Sequence, residues 1–430
     1  MFSTSPSRRI AVARALRACG VVLLGTIALC AQAATAPVAP ASLRQAFAGA
    51  WQSHPSAKAA DATLAAARAR ADAASLPLYN PEIELASEHS GTDRTRTVGV
   101  RLELDVGGKR SSRAAVADAR VAEEVLRARV TRSEFAARWL AGWASWRSAN
   151  ERLRIGQQRD DLMARFAVLA QKQFAAGDIS SLERDLALLA RDEAQAELAA
   201  LQSEVAEADE ALRQVGGVPD AGIPATLSEL PEPAPFDAMA LAASPEWRLA
   251  DARARVAEQA VTVAERDRRP DPSLSLAAGR IDQGGLSGNV VRASVSMPLY
   301  VRNSYRSEVD AAHAEADAAA AEADRTRLEL SARARRAIAS YAAVRQAWTR
   351  WHASPATSTE HRAELLERLW RAGELSTADY LQQLKQSLDT ALAGAELEGR
   401  LWRSAADDLA ATGQLEHWLG LDATTGDTSR

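Results

Sequence analysis

Between Lys109 and Ala175 the chain carries no proline, and only Gly142 and Gly156 interrupt a run of good helix formers. A helix of ~65 residues would be roughly 100 Å long at ~1.5 Å per residue. No globular domain buries such a rod alone, so the run predicts a coiled coil or the wall of a tunnel. The composition agrees: the chain is rich in Ala, Leu, Arg and Glu and poor in aromatics, which favours long helices over a sandwich or an ordinary α/β enzyme. Its charge is mixed in sign with no long basic run, which argues against a nucleic-acid groove.

The run belongs to a plan that occurs twice, about 190 residues apart. Pro55 followed by Asp61 returns as Pro245 followed by Asp251, and NPEIELASE from Asn80 returns as DPSLSLAAG from Asp271. LELDVGGKRSSRAAVADA matches VSMPLYVRNSYRSEVDAA, and FAAGDISSLERDLA from Phe174 matches WRAGELSTADYLQQ from Trp370. The order is the same in both copies and the period is far longer than a solenoid unit, so a whole half-molecule is duplicated. Each half reads as helix, β-hairpin, very long helix, helix, and the fold class expected is mainly α with a small β part. The first helix is expected over about Ser42 to Ser75. After Gly177, Leu198, Leu201, Val205, Ala208, Leu212 and Val215 follow heptad spacing, as do Leu381, Leu384, Leu388, Ala391 and Ala395 in the second half.

The leader has its own signature. Arg8, Arg9, Arg14 and Arg17 form a basic region, Gly20 to Leu29 an apolar one, and Ala31-Gln32-Ala33 a cleavage site. The apolar run is short of the ~20 residues of a spanning helix. Both cysteines, Cys19 and Cys30, lie within it, so no disulfide framework or thiolate site is expected after cleavage. Leu29 weighs against Cys30 as a lipid acceptor, since a lipobox wants a small residue there. The expected organisation is a signal peptide at 1–33, an N-terminal tail at 34–41 and a first repeat at 42–215 with a hairpin at about 81–106. A linker at 216–236, a second repeat at 237–412 with a hairpin at about 272–299, and a C-terminal tail at 413–430 complete it. The linker, GGVPDAGIPATLSELPEPAPF, reads as a surface connection because its Gly and Pro break any helix.

No later segment reaches 18 apolar residues, so a membrane crossing requires strands. From Thr97 to Val106 the chain alternates: Val98, Val100, Leu102, Leu104 and Val106 face one way, and Gly99, Arg101, Glu103 and Asp105 the other. Val291, Ala293, Val295, Met297 and Leu299 alternate with Arg292, Ser294 and Ser296. Such alternation fits a half-buried antiparallel strand or a barrel with lipid outside and water inside. Strands of ~9–11 residues suit a bilayer crossing, and Arg101, Glu103, Asp105 and Arg292 all fall on the face that would line water. Four strands cannot close a barrel, and lipid forbids an open edge. Other subunits must supply the rest; three chains would give twelve strands, although periodicity alone also admits two or four.

With these residues in view, the chain resembles the TolC family of outer-membrane efflux proteins over about residues 42–412. LPLYNPEIEL and LELDVGGKRSSRAAVA are most similar to its heavy-metal, CzcC-like branch. The resemblance implies a homotrimer in outer-membrane lipid, sharing a 12-stranded barrel and an α-helical tunnel into the periplasm. It also implies two partners, a periplasmic adaptor (membrane fusion) protein and an inner-membrane RND pump. Phe174 with Gly177, and Trp370 with Gly373, match the family's periplasmic tip turns. Asp379 matches an acid that narrows the closed aperture, whereas Gln382 departs from a second acid three residues on. Glu183 and Asp185 stand just beyond the first tip. The expected function is the exit duct of a tripartite efflux system for divalent heavy-metal cations, in the outer membrane and extending into the periplasm. An exit duct for drugs or secreted proteins and a soluble periplasmic coiled-coil scaffold are the alternatives.

The sequence offers no enzyme. Gly107-Gly108-Lys109-Arg110 lacks the earlier glycine and the Ser/Thr of a phosphate loop. None of His54, His89, His313, His352, His361 and His417 has the i, i+4 spacing of a helical metal pair. No cofactor, resident metal or nucleic-acid partner is expected. Trp139, Trp143 and Trp146 share a helical stripe with Leu153, best read as packing between neighbouring helices.

Overall fold

A computed structural model describes residues 38–219, 230–353 and 359–421; the segment expected to be a signal peptide lies outside them. The proline-free run forms one helix, α3 (Lys109–Ala176), of 68 residues. Before it come α1 (Ala41–Ser53), α2 (Pro55–Ser75) and the hairpin β1 (Glu82–Ser90) and β2 (Asp93–Glu103). After it come α4 (Ser181–Gln214), the short α5 (Ala238–Ala242), α6 (Pro245–Asp267), and the hairpin β3 (Ser273–Gln283) and β4 (Leu286–Ser296). α7 (Arg306–His352), α8 (Thr359–Arg371), α9 (Thr377–Ala411) and α10 (Leu415–Trp418) complete the described chain.

The four strands form one antiparallel sheet in the order β1-β2-β3-β4. The two hairpins pair with each other through β2 and β3, with Val100 opposite Leu276. Within the described chain, β1 and β4 are the edges.

The heptad face of α4 lies on α3. Leu201 and Leu212 are buried there. The two glycines of α3 receive them: Leu201 fills the space beside Gly156, and Leu212 and Val215 stand beside Gly142. A Cβ on Gly156 would collide with Leu201, so that glycine serves packing, whereas one on Gly142 would meet its neighbours only at ordinary contact distance. Further along, Trp139, Trp143, Phe47, Phe135, Tyr341 and Trp402 form the main apolar core. Trp143 meets Trp402 edge-on at 5.0 Å. Trp146 donates its indole N–H to Asp209 of α4 at 2.7 Å.

Several boundaries differ from the expectation. The helix expected over Ser42–Ser75 is two helices, because Pro55 has no N–H and His54 is extended, capping α2 with its Nδ1. The long helix of the second half is also described as two, α7 and α8. The expected tails are not free. Ala39 is buried and donates its N–H to the Trp418 carbonyl at 2.8 Å, while Leu415 and Trp418 enter the main core. Arg132 of α3 pairs with Glu416 at 2.9 Å. The linker is packed at its far end: Leu230 is buried, and Tyr341 donates its hydroxyl to the Pro231 carbonyl at 2.6 Å.

Candidate functional site

The sheet has two chemically different faces. Register places Ile83 opposite Val100 and Leu85 opposite Val98. Across β2 and β3 it places Val98 opposite Ala278, Val100 opposite Leu276 and Leu102 opposite Leu274. Leu274 then faces Val295, and Leu276 faces Ala293. These side chains make one apolar surface four strands wide, and among the described residues nothing covers it. Val98 is 59% exposed, Val100 50%, Leu276 60% and Val295 72%. The opposite face carries Glu82, Glu84, Gly99, Arg101, Glu103, Ser275, Arg292 and Ser294, with an Arg101–Glu84 ion pair and a Ser275–Ser294 hydrogen bond.

The strands end sooner than expected. Leu104 and Asp105 lie beyond β2, and Met297 lies beyond β4. Asp105 thus stands just past the assigned strand, where Leu104 still donates its N–H to the Pro272 carbonyl at 2.9 Å. Its carboxylate accepts from the backbone N–H of Lys109 and of Arg110, each at 2.8 Å, and so caps α3. Burial works against the ionised form, but these backbone hydrogen bonds hold its pKa below the ordinary value.

A buried ion pair sits at this junction, unmarked by any spacing in the sequence. Lys109 Nζ lies 2.9 Å from Asp271 Oδ2, and the Asp271 side chain is fully buried. Tyr79 donates its hydroxyl to the same oxygen at 2.8 Å. Burial pulls the lysine pKa down, but the hydrogen bond and charge of Asp271 outweigh it and hold it above the ordinary value.

At the other end of the helices two tips are built alike. Gly177 ends α3 at φ 85° and Gly373 follows α8 at φ 72°. In each, the glycine N–H bonds the carbonyl of Phe174 or Trp370 at 3.0 Å. The next residue bonds the carbonyl of Gln173 or Leu369, at 2.9 and 3.0 Å. Only a left-handed residue closes this pair of bonds, and glycine adopts that conformation without strain. Three residues after each glycine a serine caps the next helix: Ser180 accepts from Glu183 N–H and Ser376 from Asp379 N–H. The serine hydroxyls in turn donate to the Glu183 and Asp379 carboxylates, at 2.8 and 2.7 Å, and Glu183 also accepts from the Ser180 backbone N–H, which completes a capping box. Asp185 instead pairs with Arg184, whose guanidinium lies over Phe174 at 4.3 Å.

The tips are joined by a residue the sequence did not single out. Trp370 Nε1 donates to Thr377 Oγ1 at 3.2 Å, and Thr377 donates to Glu183 Oε1 at 3.3 Å. The Ser180 hydrogen bonds lead, and the Thr377 one adds, in holding the Glu183 pKa below its ordinary value. Higher up, the buried Arg159 of α3 meets Glu197 of α4 and, at 3.3 Å, Asp389 of α9. Among the described residues no helix is long and apolar enough to cross a membrane, and no cluster of three His, Cys, Asp or Glu side chains is placed to hold a metal.

A narrow sheet with one apolar face, set at the end of a helix of about 100 Å, α3, and shorter helices beside it, is a fold that the chain shares with solved outer membrane channels. Against the CmeC outer membrane channel of Campylobacter jejuni the chain gives a TM-score of 0.72 at 15% identity, covering 87% of this chain and 86% of that one. The model of the outer membrane efflux protein family matches residues 48–218 of the chain. The chain is 30% identical over 234 residues to the cobalt-zinc-cadmium resistance protein CzcC of Cupriavidus metallidurans, covering 52% of this chain. That match spans only 55% of CzcC. It is 27% identical to the nickel-cobalt-cadmium resistance protein NccC of Alcaligenes xylosoxydans xylosoxydans, covering 76% of this chain and 75% of that protein.

Proposed function

We propose that the chain is the outer-membrane exit duct of a tripartite RND-type efflux system and exports divalent heavy-metal cations. The observation that carries this reading is the bare apolar face of a four-stranded sheet with both edges unpaired in the chain. In lipid such edges must be closed by other subunits. Three copies give twelve strands, the apolar faces turned to lipid and Arg101, Glu103 and Arg292 to water. The helical hairpins then line a tunnel whose tips, at Gly177 and Gly373, meet a periplasmic adaptor and an inner-membrane pump. Glu183 and Asp379 stand near the mouth, where rotational symmetry would gather identical carboxylates into rings favouring cations.

Kinship with CzcC and NccC, both metal-resistance proteins, supports a metal cargo. The metal is cargo and not a resident ligand. Deleting the gene is expected to sensitise the host to zinc, cobalt or cadmium more than to dyes or detergents. Unchanged metal tolerance with lost drug tolerance would overturn the cargo assignment. The purified protein is expected to conduct ions in a planar bilayer; failure to conduct after verified insertion would overturn the duct.

A further inference from the structure

The end of the sheet nearest the helices carries a group of arginines that the duct reading does not use. Arg110 opens α3, Arg268 and Arg269 precede β3, and Arg302 and Arg306 follow β4; all five are exposed. They come from three chain segments that touch. Arg268 Nε donates to the Ser304 carbonyl at 3.2 Å, which ties the turn before β3 to the one after β4. A Cβ on Gly107 would lie 3.2 Å from the Arg269 Cβ, which brings that turn against the start of α3. None of the five makes an ion pair among the described residues, although the arginines of the long helices are repeatedly paired with acids. Of the nearby acids, Asp105 caps α3, Asp271 holds Lys109, Asp267 pairs with Arg113 at 3.3 Å, and Glu308 accepts from the Asn303 side-chain amide at 3.4 Å.

Two further observations set these cations beside a membrane. The apolar surface of the sheet continues past the strand ends into Leu299, 74% exposed, and Val301, 86% exposed. Tyr300 and Tyr305, in the segment that carries Arg302 and Arg306, pack edge-to-face at 4.9 Å, and amphipathic rings of this kind favour the headgroup level. The opposite end of the sheet carries arginines too, Arg94, Arg96 and Arg280, but there Arg94 stands opposite Asp282 and beside Asp93, and no tyrosine pair accompanies them among the described residues.

We propose that Arg110, Arg268, Arg269, Arg302 and Arg306 form a headgroup site for an anionic phospholipid of the leaflet on the helical side of the barrel. A guanidinium matches the two free oxygens of a phosphodiester, and Leu299 and Val301 continue the surface against which its acyl chains lie. The inference rests on the barrel reading and refines it.

The test uses the full-length protein purified in a neutral detergent, with phosphatidylglycerol or phosphatidylcholine added and bound lipid counted by native mass spectrometry. Wild type is expected to retain phosphatidylglycerol in preference. Arg268→Gln/Arg269→Gln/Arg302→Gln/Arg306→Gln is expected to lose that preference, at about fivefold per arginine. The corresponding four-lysine variant should keep most of it, and Arg94→Gln/Arg96→Gln all of it. Equal retention of both lipids by wild type, an undiminished preference in the glutamine variant, or complete displacement by equimolar inorganic phosphate would each overturn the site. A failure of the barrel reading would appear separately, in the solvent accessibility of Val100 against Arg101, which involves none of these arginines.

Discussion

Lys109 and Asp271 meet at 2.9 Å inside the junction between sheet and helices, one at the first turn of α3 and the other just before β3. The pair fastens the first-half helix to the second-half hairpin. Tyr79 completes it from a third segment, so the entry to both hairpins is set by one buried carboxylate.

Breaking that pair from one side leaves a charge buried without its partner. Lys109→Met is expected to cost about 3–5 kcal/mol. Lys109→Met/Asp271→Asn, which removes both charges and keeps an acceptor for Tyr79, should lose less than the single variant. Thermal unfolding of the three proteins checks the order; equal losses in single and double variants would show that the charge pairing is unimportant.

Asp408 gives the stability a pH dependence. It is buried in α9, its Oδ1 has no hydrogen-bond partner among the described residues, and burial pushes its pKa up to about 6. A raised carboxylate pKa weakens the folded state above that pKa, and the penalty disappears as pH falls toward the unfolded value of about 4. Asp408→Asn should therefore melt higher than wild type at pH 8, and the difference should vanish by about pH 4. A constant difference across that range would contradict the assignment.

Two helix glycines should respond in opposite ways to alanine. A Cβ on Gly394 would overlap the rigid ring of Trp351, whereas one on Gly142 would stand 3.6 Å from Val215. Gly394→Ala is expected to destabilise by about 1–3 kcal/mol. Gly142→Ala should be neutral or stabilising by up to about 1 kcal/mol. Denaturation midpoints of the two variants decide it.

At the tips, Gly373→Val forces a β-branched residue to φ 72° and is expected to impair efflux while the protein still inserts. Asp379→Asn keeps a group able to meet Ser376 but removes the charge. Cation preference in a planar bilayer should fall without loss of assembly. Unaltered selectivity would leave Asp379 with its helix-capping role alone.

What the sequence revealed was local and periodic. The two-residue alternation around Val100 and Val295, the heptad face of α4 and the glycines after Phe174 and Trp370 each follow from neighbours a few positions apart. The ion pair of Lys109 with Asp271, the bridge from Trp370 through Thr377 to Glu183, and Arg159 between α4 and α9 join distant segments, and no spacing marks such partners. The caps formed by Asp105 and Ser376 depended on where a strand or helix ends, to within one or two residues. The burial of Ala39 and Trp418 escaped notice because short segments carry no period; only their tertiary neighbours bury them.

The central claim is that the bare face of the sheet meets lipid and the other face meets water. Single cysteines at Val98, Val100, Leu102, Val295, Arg101 and Arg292, probed in whole cells with a membrane-impermeant thiol reagent, test it directly. The account predicts labelling at Arg101 and Arg292 and protection at the four apolar positions. Equal labelling at Val100 and Arg101 would contradict it.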